Sequence, residues 1–286
     1  MTGQPSDIQP FDADAFAAAQ TLRDWLGAHR RVFVLTGAGI STGSGIPHYR
    51  GEDGQWQRKP PVTYQAFVGD AAMRARYWAR SFVGWPSFAG ALPNPGHAAL
   101  ARWQGRGGLK RLLTQNVDGL HQRAGSTEVI DLHGRLDEAV CLDCGARRAR
   151  AAVQEELAAN NPDWRHLSAR SAPDGDADLE GVRFEDFAPP RCEVCGGLLK
   201  PDVVFFGENV PRARVAAAHE ALREADAMLV VGSSLMVYSG YRFARAAREA
   251  GLPLALLNRG VTRADDIATL KIEADCAATL DAALAA

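Results

Sequence analysis

Two cysteine pairs, Cys141-x-x-Cys144 and Cys192-x-x-Cys195, lie 47 residues apart in a chain of 286. Two thiolates spaced this way share one side of a tight turn, and two such turns close a sulfur tetrahedron around Zn²⁺. Four sulfur ligands leave no position for water or substrate, so one structural zinc ion folds a small module and takes no part in chemistry. Two disulfides or unrelated buried thiols are the competing assignments. The amino-terminal MTGQPSDIQPFDADAF has no basic region followed by an apolar run, and without a secretory leader zinc is favoured. Cys276 has no partner of its own and reads as a free thiol.

A second set of chemically capable residues stands just past short apolar runs. Run 32–35 ends in Thr36-Gly37-Ala38-Gly39-Ile40-Ser41, a loop where missing side chains let backbone N–H groups approach a phosphate. Run 109–114 leads into Gln115-Asn116-Val117-Asp118, and run 129–132 into His133-Gly134. Run 228–231 leads into Gly232-Ser233-Ser234, and run 254–257 into Asn258. The glycine loop alone is weak evidence. A strict G-x-G-x-x-G would need glycine where Thr42 stands, and no acidic residue ends a strand at the ribose position, so a conventional hydride-transferring dehydrogenase is disfavoured. A glycine turn that merely caps a helix is the bland alternative.

The elements that must position these residues are legible from periodicity. Helical stretches are predicted over 13–30, from the cap Asn94-Pro95 onward, over 211–225, and over 239–250 with Gly251 as the stop. Continuous apolar runs between helices read as parallel strands buried on both faces. The expected fold is α/β, a Rossmann-like parallel sheet with helices on both faces, plus a small inserted zinc-ribbon module and a helical excursion. The core spans about 15–50, 95–136 and 201–286, the excursion about 51–94, and the zinc module about 137–200. Run 202–206 is expected to resume the sheet, and 160–182, rich in Pro, Asp, Gly and Ser, to form a surface loop. Ligands of open α/β sheets bind outside the carboxyl ends of the strands, so the polar segments predict one shared crevice.

Lys plus Arg number 32 and Asp plus Glu 34, for a net charge of −2, so no basic excess points to nucleic acid. No stretch of 18 uninterrupted apolar residues suggests a membrane helix, and a soluble, cytoplasmic protein is expected.

Taken in order, Gly37-Ala38-Gly39-Ile40-Ser41, Gly45-Ile46-Pro47-His48-Tyr49-Arg50, Gln115-Asn116-Val117-Asp118, His133-Gly134, Phe206-Gly207-Glu208 and Gly232-Ser233-Ser234 resemble the sirtuins, with the cysteine pairs where that family carries its zinc ribbon. The resemblance runs from about residue 15 to the carboxyl terminus. It implies NAD-dependent removal of acyl groups from protein lysines: the acyl oxygen attacks C1′ of the nicotinamide ribose, nicotinamide leaves, and His133 is the base that deprotonates a ribose hydroxyl, with Asn116 beside it. An imidazole with an ordinary pKa near 6.5 suits that task.

By the same resemblance Gly37, Ala38, Gly39 and Ser41 cradle the diphosphate, and Gln115, Asn116 and Val117 meet the nicotinamide ribose. Asp118 accepts from the carboxamide, and Tyr49 and Arg50 cover the site. Gly232, Ser233, Ser234, Asn258, Arg259, Gly260 and Cys276 hold the adenosine half. Val204, Phe206, Gly207, Glu208 and Val237 line the channel for an acyl-lysine peptide lying as an added strand. His48 stands where most sirtuins have Asp, which removes an anionic acceptor, and Tyr49 replaces the commoner Phe.

Tyr77-Trp78-Ala79-Arg80 resembles the acyl-pocket motif of class II sirtuins, which prefer longer or acidic acyl groups to acetyl. Phe82-Val83-Gly84-Trp85-Pro86 and the segment 200–208 are most similar to the lipoamidase and ADP-ribosylating sirtuin 4 type. Otherwise Tyr77 and Arg80 belong to an amphipathic helix with an aromatic face and solvated arginines. Mono-ADP-ribosyl transfer to a protein, or a non-catalytic NAD sensor or zinc-ribbon interaction protein, are the competing functions. His133, Asn116 and Asp118 together speak against the sensor.

Overall fold

The computed structural model describes residues 13–57, 61–167, 175–177, 179 and 181–285. Residues 1–12 of the amino-terminal stretch and residues 168–174, 178 and 180 of the loop expected over 160–182 therefore lie outside the described residues. No described helix is long and apolar enough to cross a membrane.

In chain order the strands are β1 (Val32–Thr36), β2 (Leu109–Thr114), β3 (Ile130–Asp131), β4 (Gly134–Cys141), β5 (Arg147–Ala149), β6 (Leu199–Val203), β7 (Ala227–Val231), β8 (Leu254–Leu257) and β9 (Leu270–Ile272). The helices are α1 (Ala13–Gly27), α2 (Tyr64–Gly69), α3 (Ala71–Gly90), α4 (Pro95–Gly105), α5 (Leu120–Arg123), α6 (Arg150–Asn160), α7 (Arg212–Arg223), α8 (Tyr238–Glu249) and α9 (Cys276–Leu284). Six strands form a parallel sheet in the order β3-β2-β1-β7-β8-β9.

Strand alternation sends successive side chains to opposite faces. Val32 and Val34 join Leu112, Leu229 and Leu257 on the face covered by α1, α4 and α9, through Leu22, Leu100 and Leu280. Phe33 and Leu35 join Leu113, Met228 and Leu256 on the face covered by α7 and α8, through Leu222 and Phe243. Burial on both faces is why these strands read as unbroken apolar runs. The predicted cap at Asn94 is present: its Oδ1 accepts from Gly96 N–H, its own N–H donates to His97 Nδ1, and Pro95 opens α4.

The chain builds outward from β1 to β3 on one side, then returns to build from β7 to β9 on the other. The reversal falls between β1 and β7, the topological switch point at which such sheets bind ligands.

One expectation is corrected. The run expected to resume the parallel sheet at 202–206 begins earlier, as β6, and pairs antiparallel with β4 in a separate three-stranded sheet, β5-β4-β6. β4 starts directly after His133 and carries Cys141 at its end, so the zinc module is anchored to the crevice by its own longest strand. This sheet, α6, α2 and α3 share a third apolar cluster built from Phe67, Tyr77, Trp78, Phe82, Leu136, Val153 and Phe205.

Candidate active site

The switch point opens into a cleft of about 620 Å³ between the parallel sheet and the third cluster. Its floor is two glycine loops in contact. Gly37 N–H donates to Val231 O at 3.0 Å, and Gly39 N–H to Gly232 O at 2.8 Å. A Cβ on Gly39 would lie 2.7 Å from Gly232 Cα, and one on Gly232, whose φ is +61°, would lie 2.4 Å from Ile40 N. Only glycine permits that approach. The N–H groups of Ala38, Ser233 and Ser234 make no backbone hydrogen bond among the described residues, so donors remain at the rim of the cleft for an anion.

Asn116 and Asp118 meet at Ser41. Asn116 Nδ2 donates to Ser41 Oγ at 3.0 Å and to Gly37 O at 3.1 Å, and Ser41 Oγ donates to Asp118 Oδ2 at 2.8 Å. Burial pushes the Asp118 carboxyl up, while the Leu120 N–H and the Ser41 hydroxyl pull it back down. Under this layer lie two histidines that sequence reasoning missed. His97 Nδ1 accepts from Asn94, which leaves its Nε2 facing Ser41 Oγ at 3.4 Å. Fully buried His121 bonds Thr36 Oγ1 through Nε2 at 2.8 Å and packs tilted against His97, with ring centroids 4.8 Å apart. Burial pulls His97 down to about 4 and His121 well below its ordinary value. The clue was available at one of them, since His97 stands at the third position after the Asn94 cap, where a side chain reaches back to the cap N–H.

His133 sits at the turn between β3 and β4. A carbonyl only accepts, so the 2.9 Å contact with Gln115 O puts the proton on Nδ1 and leaves Nε2 as the lone pair, 2.8 Å from Ser239 Oγ. Burial holds the ring down at about 4, with the charges of Arg214 and Arg242 pulling the same way and the Gln115 bond opposing them. The imidazole is therefore neutral at physiological pH and able to accept a proton at Nε2. Gln115 Nε2 donates to Ser233 Oγ at 2.6 Å, tying the residue that orients His133 to the second glycine loop. Ser239 is a site residue without a sequence signal.

Toward the zinc module the walls are aromatic. Tyr49, Trp56 and Phe206 meet edge to face in series at 6.0 and 5.6 Å, and Arg50 lies 4.2 Å over Trp56 with Nη1 donating to Gly54 O. His48, Val117, Val204, Gly207 and Val237 complete that side. Glu208 lines it too, but its carboxylate accepts from Phe205 N–H at 2.8 Å and from buried Lys200 at 3.0 Å. Tyr77 lines the cleft between Phe67 and Phe205, whose ring centroids lie 5.4 and 5.1 Å away. Arg80 does not line it. One turn further along α3, its Nε donates to Ala177 O at 2.9 Å and pairs with Asp176 at 3.2 Å, because the segment 175–177 packs back on α3.

At the opposite end Ser234, Asn258, Arg259 and Cys276 line the cleft. Asn258 Nδ2 donates to Arg259 O at 2.6 Å, Arg259 approaches Asp275 at 3.7 Å, and the Cys276 thiol, pushed up to about 12 by burial, points at Leu257 O. Gly260 does not line the cleft. With φ at +80°, it lets its loop meet Glu52, to whose carbonyl Val261 N–H donates at 2.8 Å. The groups fit an extended dinucleotide: anion donors at the switch point, a buried amide and carboxyl at one end, and a recessed pocket at the other.

The four cysteines come together as expected, all four Sγ atoms within 4.8 Å of one another. Cys141 to Cys195 is 3.5 Å and Cys144 to Cys192 is 3.7 Å, against about 3.8 Å for the edge of a tetrahedron with Zn–S bonds of about 2.3 Å. Gly145 and Gly196, at φ of +75° and +73°, close the two turns. The donor set fits structural zinc.

A parallel sheet with a dinucleotide crevice at its switch point, a half-buried neutral imidazole beside it and an appended four-cysteine module define an NAD-binding enzyme class. Residues 37–239 match the Sir2 family, and the chain belongs to it. It is 60% identical over 257 residues to the NAD-dependent protein deacetylase of Bordetella bronchiseptica, covering 90% of this chain and 94% of that one. It is 49% identical over 258 residues to the mitochondrial NAD-dependent protein lipoamidase sirtuin-4 of Bos taurus, covering 89% and 82%. A solved complex of Sir2 with p53 peptide and NAD⁺ superposes with a TM-score of 0.70 at 32% identity, covering 91% and 95%.

Proposed function

We propose that the chain is an NAD-dependent protein lysine deacylase that prefers longer, lipoyl- or biotinyl-like or acidic acyl groups to acetyl. The observation that carries the reading is the neutral His133 with its Nε2 lone pair in the same cleft as the Asn116–Ser41–Asp118 network. NAD, when bound, supplies a ribosyl carbon whose bond to nicotinamide can break. The remaining tasks fall to the chain. Ala38, Ser233 and Ser234 offer N–H groups to the diphosphate, Asp118 and Asn116 orient the nicotinamide half, and His133 Nε2 takes a proton from a ribose hydroxyl. An acyl-lysine peptide lies between the 204–208 segment and Val237, with its acyl chain directed toward Tyr77 and Phe205. The aromatic wall supports a long apolar chain, and the similarity to a lipoamidase points the same way. Five reduced cysteines suit a reducing cytoplasm.

The test is a panel of acyl-lysine peptides assayed for nicotinamide release and for product mass. Lipoyl and biotinyl peptides should exceed acetyl in kcat/KM, with free lysine and O-acyl-ADP-ribose as products. Preference for acetyl refutes the selectivity, and a protein heavier by one ADP-ribose identifies mono-ADP-ribosyl transfer instead.

A further inference from the structure

Arg242 lines the cleft one helical turn beyond Ser239 on α8, on the face that meets His133. The other arginines near the cleft are engaged. Arg50 donates to Gly54 O and stacks on Trp56, Arg259 faces Asp275, Arg214 faces Asp202, and Arg80 faces Asp176. Among the described residues no carboxylate pairs with Arg242, and its buried Nε has no hydrogen-bond partner. His133 and His219 are near it, and its charge pulls both of them down. The Tyr238 ring lies 5.2 Å from its guanidinium, and Arg245 and Arg263 also approach that ring, at 5.7 and 5.9 Å. Of those two, Arg245 is matched by Glu249, while Arg263 lies over Tyr241 at 4.4 Å. The rim of the cleft at α8 thus carries a cation held in place by an aromatic ring and lacking a counter-charge.

We propose that Arg242 recognises a carboxylate of the acylated substrate, carried either by the acyl terminus or by an acidic side chain next to the acyl-lysine. This rests on the deacylase reading. A planar guanidinium with free N–H groups matches a carboxylate through two parallel hydrogen bonds. The diphosphate of NAD is the other anion in the site, but its donors are the glycine-loop N–H groups at the switch point. Arg80, the cation expected from sequence to do this work, is already neutralised by Asp176.

Four peptides test it, identical except for a neutral or a carboxylated acyl group of equal length and a Gln or a Glu beside the acyl-lysine. Nicotinamide release gives kcat/KM for the wild type, Arg242→Met and Arg242→Lys. The wild type should favour one carboxylated form by about tenfold or more. The ratio should fall to about one in Arg242→Met and recover in part in Arg242→Lys. Which peptide carries the preference identifies the source of the carboxylate. A wild type indifferent to both carboxylates, an Arg242→Met enzyme that keeps the preference, or one altered only in KM for NAD would overturn the proposal. If the methionine variant does not fold, the wild-type preference must still shrink with rising salt, and a salt-independent preference is equally fatal. If no peptide releases nicotinamide, the deacylase reading fails separately. Direct titration of the four peptides then decides the carboxylate question, equal affinities refuting it.

Discussion

His97 and His121 are buried and His133 half-buried, and all three are held neutral, yet they do different work because their nitrogens face different partners. His133 presents a lone pair to Ser239 at the cleft, whereas His97 and His121 sit beneath it and brace Ser41 and Thr36. Only His133 was legible in the sequence, since it ends a strand and matches a motif. His97 and His121 lie within helices, where a histidine on a buried face looks like any other core residue. Their burial has a measurable consequence. Below pH 6.5 the unfolded chain takes up a proton at His121 that the native protein excludes, so stability falls as pH falls. The slope from this one site approaches about 1.4 kcal/mol per pH unit. Asp118 and Asp131, raised by burial, act in the opposite sense, but equally in wild type and variant. Urea unfolding of His121→Asn should therefore give a shallower loss of stability than wild type between pH 6.5 and about 5. Parallel curves would contradict the buried neutral imidazole.

At the scale of elements, α3 shows why some of the structure was not legible. Residues 51–94 were readable as a helical excursion, but what holds it lies some seventy residues away in sequence. Pro86 inside α3 has no N–H to offer the carbonyl of Phe82. Gln154 Nε2 on α6 donates to that carbonyl at 2.9 Å, and Arg150 Nη2 donates to Ser81 O at 3.2 Å. Arg150 is fully buried, its guanidinium 4.8 Å from the Trp85 ring and 5.5 Å from Trp78, and burial pulls it down to about 10. β6 misled for the same reason: an apolar run states that it is a strand and not which strand it joins, and its partner β4 was hidden behind the site histidine. The Asn94 cap, by contrast, is local and was fully readable. Gln154→Leu should cost about 1–3 kcal/mol in chemical denaturation, since it leaves a buried carbonyl without a donor. A variant as stable as wild type would mean that the Phe82 carbonyl finds another partner.

For the whole molecule, the cleft lies where two bodies meet, the parallel sheet with its glycine loops on one side and the zinc module with α2 and α3 on the other. The four cysteines line no part of it. Their ion would nevertheless be felt there, because the helix that closes the broken turn of α3 belongs to the metal-folded module. The zinc module and α3 should consequently open as one cooperative unit, separate from the sheet. Stripping the ion with a chelator should speed deuterium uptake at the amides of α6 and α3 together, while β1 and β7 stay protected. An α3 that keeps its protection after zinc loss would contradict this coupling. If the two do exchange together, metal occupancy sets how long Tyr77 keeps its place beside Phe205, and zinc supply becomes a means of tuning the proposed acyl selectivity from outside the chemistry.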